Sequence, residues 1–284
     1  MPIDVSKALD ASLPDGSYSW DANDVILYHL GVGAGVPATD PNELEYVYEA
    51  NLKVLPSFAS IVPFGAMMGV TNVDGLDFNL AMLLHGEQEV TLFRPIPPDA
   101  KVTNQGRIAG IYDKGKGALV VVDIDSRDAA GDLLFTNRSS LFLRGEGGFG
   151  GEPGPPPRHE APDREPDHVV ESVTLEQQAL LYRLSGDRNP LHVDPAFAAI
   201  GGFDRPILHG LCSYGIVCKA VVDTVLAGDV SQVHGYSARF SGPVVPGETI
   251  VTKIWESESG FLVEAITKQR QSKVISNANL TVFS

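Results

Sequence analysis

The sequence predicts an α+β protein in which a helix wrapped by an antiparallel sheet is used twice. Three observations lead there. Between Leu83 and Arg144 the pattern of apolar residues has a period of two, the mark of half-buried strands. Residues 145–168, GEGGFGGEPGPPPRHEAPDREPDH, then hold twelve Gly or Pro in twenty-four positions, too many for the interior of any element. After that linker the same order returns, helix, apolar helix, proline-marked turn and strands, which is the sign of an internal repeat.

The elements follow in order. In DANDVILYHLG, Asp21 is placed to cap a helix, Val25, Ile26 and Leu30 form its apolar face, and Gly31 ends it. The glycines of GVGAG that follow are not a phosphate loop, because no strand leads into them and no Gly-Lys-Ser/Thr comes after. NELEYVYEANLKVLPSF breaks at Pro56, and FASIVPFGAMMGV reads as a short helix interrupted by Pro63. QEVTLFRP, AKVTNQGRIAGIYD, GALVVVDIDSRD and LLFTNRSSLFLRG are four strands joined by turns such as DKGKG and DAAGD.

Beyond the linker, HVVESVT is a strand, and TLEQQALLYRLSG is a helix with Thr174 as N-cap, a Gln at the capping-box position and Gly186 as terminator. Its last turn, from Tyr182 to Ser185, echoes Tyr28 to Gly31. From Gly210 to Ala227 the chain is apolar on almost every face, so this helix should be buried on most sides. A second strand meander closes the chain. Phe93-Arg94-Pro95-Ile96-Pro97-Pro98-Asp99 echoes Ser241-Gly242-Pro243-Val244-Val245-Pro246-Gly247, and His85-Gly86 echoes His234-Gly235. The division is therefore a first unit over residues 1–150, a linker over 151–167 and a second unit over 168–284, with the two sheets able to join edge to edge.

Composition narrows the function. The hydrophobic content of 43% is ample for sizeable cores. A net charge of -15, from 36 acidic against 21 basic residues, repels a phosphate backbone, so nucleic acid is not an expected partner. Cys212 and Cys218 lie six apart in one helix and face different ways, which makes them reduced buried thiols; no Cys/His spacing points to a metal. No apolar run reaches the roughly 18 residues of a membrane span. The start MPIDVSKALDASLPDG lacks the order of a secretory signal, and NANLTVFS is not a Ser-Lys-Leu address, so a cytoplasmic protein without membrane insertion is expected.

The chemistry concentrates in YRLSGDRNPLHVDPAFA, from Tyr182 to Ala198. Asp187 and His192 sit five residues apart and flank Asn189 and Pro190, which argue against a regular element between them. Singly, such an Asp commonly caps its own backbone and such a His is commonly structural. Asp194 before Pro195 reads as a helix N-cap with Pro at the first helical position.

As a whole, SGDRNPLHVDPAFA, with Tyr182 and Leu184 before it, resembles the hydratase 2 motif of the (R)-specific enoyl-CoA hydratases, the MaoC-like branch of the hot-dog fold. HGLCSYG at residues 209–215 resembles the segment that follows the motif, and LLHGEQEV at 83–90 resembles a recurring segment of two-repeat members. The resemblance runs from about Tyr18 to the end. It implies a double hot dog, like the hydratase module of peroxisomal multifunctional enzymes but without a fused dehydrogenase. It also implies an acyl-CoA thioester substrate, with coenzyme A part of that substrate and no separate cofactor or metal, and a homodimer.

The residues agree with that implication. Adding water across an α,β-unsaturated thioester needs a group that takes a proton from water, one that gives a proton to the α-carbon, and a donor for enolate charge. Asp187 and His192 can fill the first two roles. The N–H of Gly210, at the amino end of the buried helix, can fill the third. Family resemblance carries the same three roles onto these residues and makes Asn189 a supporting hydrogen-bonder. Arg94, Arg239 and Lys253 are candidates for the phosphates of coenzyme A, with His209 a further binding candidate. In the first half GVGAGVPA stands where the second has SGDRNPLH, so that repeat lacks the acid and base and is assigned the acyl-chain pocket. A hot-dog thioesterase, a dehydratase acting on acyl carrier protein and a non-catalytic acyl-CoA binding subunit are the other readings.

Overall fold

The alternating runs fold into one antiparallel sheet in the computed structural model, which describes residues 3–283. A single helical turn, α1 (Val5–Ala8), and strand β1 (Gly16–Trp20) lead into α2 (Ala22–Gly31). Asp21 caps α2 as its sequence demands: its carboxylate accepts from the Asn23 and Asp24 N–H groups, and Asp24 accepts from the Asp21 N–H in return. Helix α3 (Pro41–Val47) follows, capped by Asp40 with proline at its first position.

Pro56 and Pro63 keep the next apolar stretch from becoming one helix. It forms a 3-10 turn at Pro56–Ser60, a four-residue α4 (Phe64–Met67) and a second 3-10 turn at Met68–Asn72. Strands β2 (Leu83–Leu92), β3 (Ala100–Asp113), β4 (Gly117–Arg127) and β5 (Leu133–Arg144) complete the first half.

The second half opens with β6 (His168–Val173) and α5 (Gln178–Tyr182). Here one expectation is corrected, because Thr174 is not the N-cap of α5. Its hydroxyl donates to the Glu248 carbonyl at 2.7 Å and accepts from the Gly247 N–H at 2.9 Å, so it is spent on a distant turn. The helix is one turn shorter in consequence, and the Gln178 side chain accepts from the Leu175 N–H instead. After α6 (Pro195–Ile200) comes α7 (Gly210–Val225), twelve of whose sixteen residues are buried. Strands β7 (Val233–Phe240), β8 (Thr249–Ser257), β9 (Gly260–Thr267) and β10 (Lys273–Val282) follow.

The strand order is β1-β3-β4-β5-β2-β7-β10-β9-β8-β6. Read from either edge to the middle, each half has the same sequence of strands, so the internal repeat is a structural one. This is the double hot-dog arrangement, with the two sheets joined where β2 pairs β7. At that seam Glu87 faces Arg239 and their side chains hydrogen-bond at 2.7 Å. Joining the sheets removes the two edges that would otherwise be free to aggregate. The main core lies between this sheet and α7, whose counterpart in the first half is the broken stretch from Pro56 to Asn72.

The linker carries no regular element but is fastened at both ends. Asp113 accepts from the N–H groups of Gly148 and Gly150, and Trp255 donates its indole N–H to the Arg164 carbonyl. Both predicted thiols are free and buried in α7. No helix among the described residues is long and apolar enough to cross a membrane.

Candidate active site

The loop between α5 and α6 is built from consecutive short turns. Gly186 leaves the helix at φ +130, a backbone conformation that L side chains rarely adopt. Asp187 then accepts from the Asn189 N–H at 3.0 Å, and Asn189 accepts from the Leu191 N–H at 3.0 Å. Asp194 finally caps α6 through the Ala196 N–H at 2.8 Å, with Pro195 at the first helical position. Asn189 thus supports the loop through both its N–H and its side-chain oxygen.

This winding turns His192 inward, where it is 8% exposed. Its Nδ1 lies 2.8 Å from the Ile207 carbonyl. A carbonyl only accepts, so Nδ1 carries the proton and Nε2 keeps a free lone pair. Burial holds the imidazole below its ordinary pKa, against the opposing pull of the Ile207 carbonyl and the Asp187 charge. His192 is therefore neutral at neutral pH, in the form that can act as a base.

His209, the residue before α7, is buried and meets this loop from behind. Its Nε2 is 3.3 Å from the Asp187 carbonyl oxygen, and its ring stacks on that of His192 with centroids 3.7 Å apart. Burial, with His192 beside it, lowers its pKa to about 3. Gly210 follows. The first helical N–H groups to close back on the His209 carbonyl are those of Cys212 and Ser213, so the N–H groups of Gly210 and Leu211 are not used by the helix. They point out of the amino end of a sixteen-residue helix. A Cβ at position 210 would stand 3.3 Å from the Phe240 ring, so glycine keeps the approach to that amide open.

Asp187, His192 and His209 bring one ligand atom each to within 4.8 Å of one another, close enough to be weighed as a metal centre. Their orientation does not favour one. The two imidazoles stack with 30° between planes, so their in-plane lone pairs run side by side instead of converging on a point. The set suits acid–base chemistry on a small molecule held between a carboxylate and a neutral imidazole.

The other predicted binding residues lie elsewhere. Arg94 is paired with Asp128 and Arg239 with Glu87, while Lys253 sits in β8 between Val169 and Glu264. Arg183 and Arg188 on the active loop, and Arg205 between α6 and α7, make no ion pair among the described residues and were not among the predicted binding residues. For Arg183 and Arg188, their place within the motif was the available signal. In the first half, His29 lies in the matching position to Arg183 and is wholly structural: its Nδ1 donates to the Tyr46 carbonyl at 2.6 Å and its Nε2 accepts from the Leu55 N–H at 3.1 Å.

A double hot dog carrying an acid, a neutral imidazole and an open helix-terminal amide defines the class of MaoC-like hydro-lyases. Comparison with known proteins gives the family. The family model of the MFE-2 hydratase 2 N-terminal domain matches residues 18–145, and that of the MaoC like domain matches residues 158–278. The chain is 43% identical to the enoyl-CoA hydratase ChsH3 of Mycobacterium tuberculosis, covering 97% of each chain. It is 40% identical to the peroxisomal enoyl-CoA hydratase 2 of Arabidopsis thaliana, over 93% of this chain and 90% of that one. The crystal structure of a MaoC-like dehydratase from Phytophthora capsici superposes with a TM-score of 0.89 at 34% identity, covering 99% of both chains. The chain belongs to the MaoC-like hydratase 2 family.

Proposed function

We propose that the protein is an (R)-specific enoyl-CoA hydratase, a hydro-lyase interconverting trans-2-enoyl-CoA and (3R)-3-hydroxyacyl-CoA. The observation that supports this is the grouping of Asp187 and neutral His192 with His209, the residue that leads directly into the helix whose first N–H, that of Gly210, is unused. In the hydration direction a water held between Asp187 and His192 loses a proton to Nε2 as its oxygen bonds to C3. Negative charge moves to the thioester oxygen, where the Gly210 N–H and the helix dipole stabilise it. The proton returns through the same pair of groups to C2 on the same face, so one H and one OH are added in all. Asp187 also stabilises the imidazolium while it exists.

Water, the thioester and these groups complete the reaction, so no resident cofactor or metal is assigned. The relatives' names, hydratases on enoyl-CoA, support addition of water to the double bond over hydrolysis of the thioester. The first repeat is assigned the acyl chain, because its stretch from Pro56 to Asn72 is broken into short turns where the second repeat has the continuous α7. Arg188, exposed on the active loop, and Arg205, exposed between α6 and α7, are assigned to the phosphates of coenzyme A, in preference to the already paired Arg94 and Arg239. A cytoplasmic homodimer completes the proposal. Loss of enoyl absorbance on mixing with a trans-2-enoyl-CoA, without release of free thiol, tests it; thiol release in its place would identify a thioesterase.

A further inference from the structure

The first repeat does more than hold an acyl chain. We propose that its His85 is a substrate-contacting residue of the site in the second repeat, hydrogen-bonding an amide of the pantetheine arm as it leaves the thioester. The inference rests on the hydratase reading above.

His85 lies on β2 just before its pairing with β7 begins at Glu87, and a register shift against β5 between His85 and Glu87 marks a bulge there. Its ring packs edge-on against Phe240 of β7, with centroids 5.2 Å apart. Phe240 is also the ring that a Cβ on Gly210 would meet, so one aromatic ring separates His85 from the proposed oxyanion amide. The Asp187 charge reaches it as well. Yet the Nε2 of His85 is enclosed and has no hydrogen-bond partner, although buried polar nitrogens are nearly always paired.

His234 occupies the equivalent place on β7, beside the half that lacks the acid and base, with its Nδ1 3.0 Å from the Leu92 carbonyl of the facing strand; the enclosed Nε2 of His85 has no such protein partner. Burial holds His85 down to about pKa 4, so at neutral pH the ring is uncharged and its unpartnered Nε2 can meet one polar atom of an amide.

The test compares a trans-2-enoyl-CoA with the corresponding enoyl ethyl thioester, which has no amide. For His85→Phe, which keeps a ring against Phe240, KM for the CoA ester should rise about tenfold, the worth of one good hydrogen bond. Its kcat, melting temperature and activity on the ethyl thioester should stay near wild type, and His85→Gln should recover much of the lost affinity. An unchanged KM for the CoA ester, or an equal loss on both esters, overturns the proposal while leaving the hydratase reading in place, provided that Asp187→Asn is inactive. If the wild-type protein hydrates no enoyl-CoA, that reading fails and the role of His85 fails with it.

Discussion

The imidazole of His192 lies face to face with that of His209, with ring centroids 3.7 Å apart. This contact joins the active loop to the start of α7, because His209 also reaches the Asp187 carbonyl at 3.3 Å. Both rings are held neutral by burial, so the stack carries no charge repulsion.

His209 is therefore a positioning residue. His209→Phe keeps the stack but not the contact to Asp187, and kcat should fall about tenfold with KM within about twofold; His209→Ala, which removes both, should fall about a hundredfold. Steady-state kinetics on the two variants checks this. Equal loss in both, matched by a fall in melting temperature, would mark a purely structural role.

Gly210→Ala tests the amide. The new Cβ would come 3.3 Å from Phe240, so either the ring or the helix start must shift. A drop in kcat of about a hundredfold is expected from misplacing the amide, with the thermal transition little changed. Wild-type kcat in this variant would place the oxyanion elsewhere.

Stability should fall in mild acid. Burial keeps His29 and His85 down to about pKa 4 and His209 down to about 3, all below the roughly 6.5 of an unfolded imidazole. Above about pH 6.5 both states are neutral and pH has no effect through these groups. Below it the unfolded chain takes up protons that the folded one refuses, so each group removes up to about 1.4 kcal/mol per pH unit until its folded pKa is reached. Denaturant unfolding at several values from about pH 7 down to pH 5 should show a falling midpoint; a midpoint constant over that range would mean these imidazoles are not buried neutral.

Lys219 fastens α7 to the first repeat. Its ammonium bonds Glu43 at 2.6 Å and Asp223 at 2.7 Å, lies over the Tyr46 ring, and Tyr46 in turn donates to Asp223. Lys219→Met leaves a largely enclosed Glu43 and a partly exposed Asp223 without their cation and should destabilise the fold by about 2 kcal/mol. Urea denaturation measures this. A change below about 1 kcal/mol would reduce the network to surface charge.

Much of this fold was legible because its strands are long and half-buried. AKVTNQGRIAGIYD coincides with β3, and the capping of α2 and α6 by Asp21 and Asp194 was readable because those bonds are local. What failed to show was set by distant partners. β1, five residues rich in Gly and Ser, is a strand because it pairs Ala100 to Asn104, and Thr174 gives up its cap to a carbonyl seventy-four residues away. Asp187, His192 and Gly210 stood out because one motif and one helix start contain them. His85 did not, because its relation to Phe240 exists only after two sheets have joined.

The most direct measurement is chiral analysis of the product formed from a trans-2-enoyl-CoA, with Asp187→Asn run beside the wild type. The proposed function predicts (3R)-3-hydroxyacyl-CoA from the wild type and turnover lower by about a thousandfold or more in a folded Asp187→Asn protein. A (3S) product, or near-normal hydration by Asp187→Asn, would contradict it.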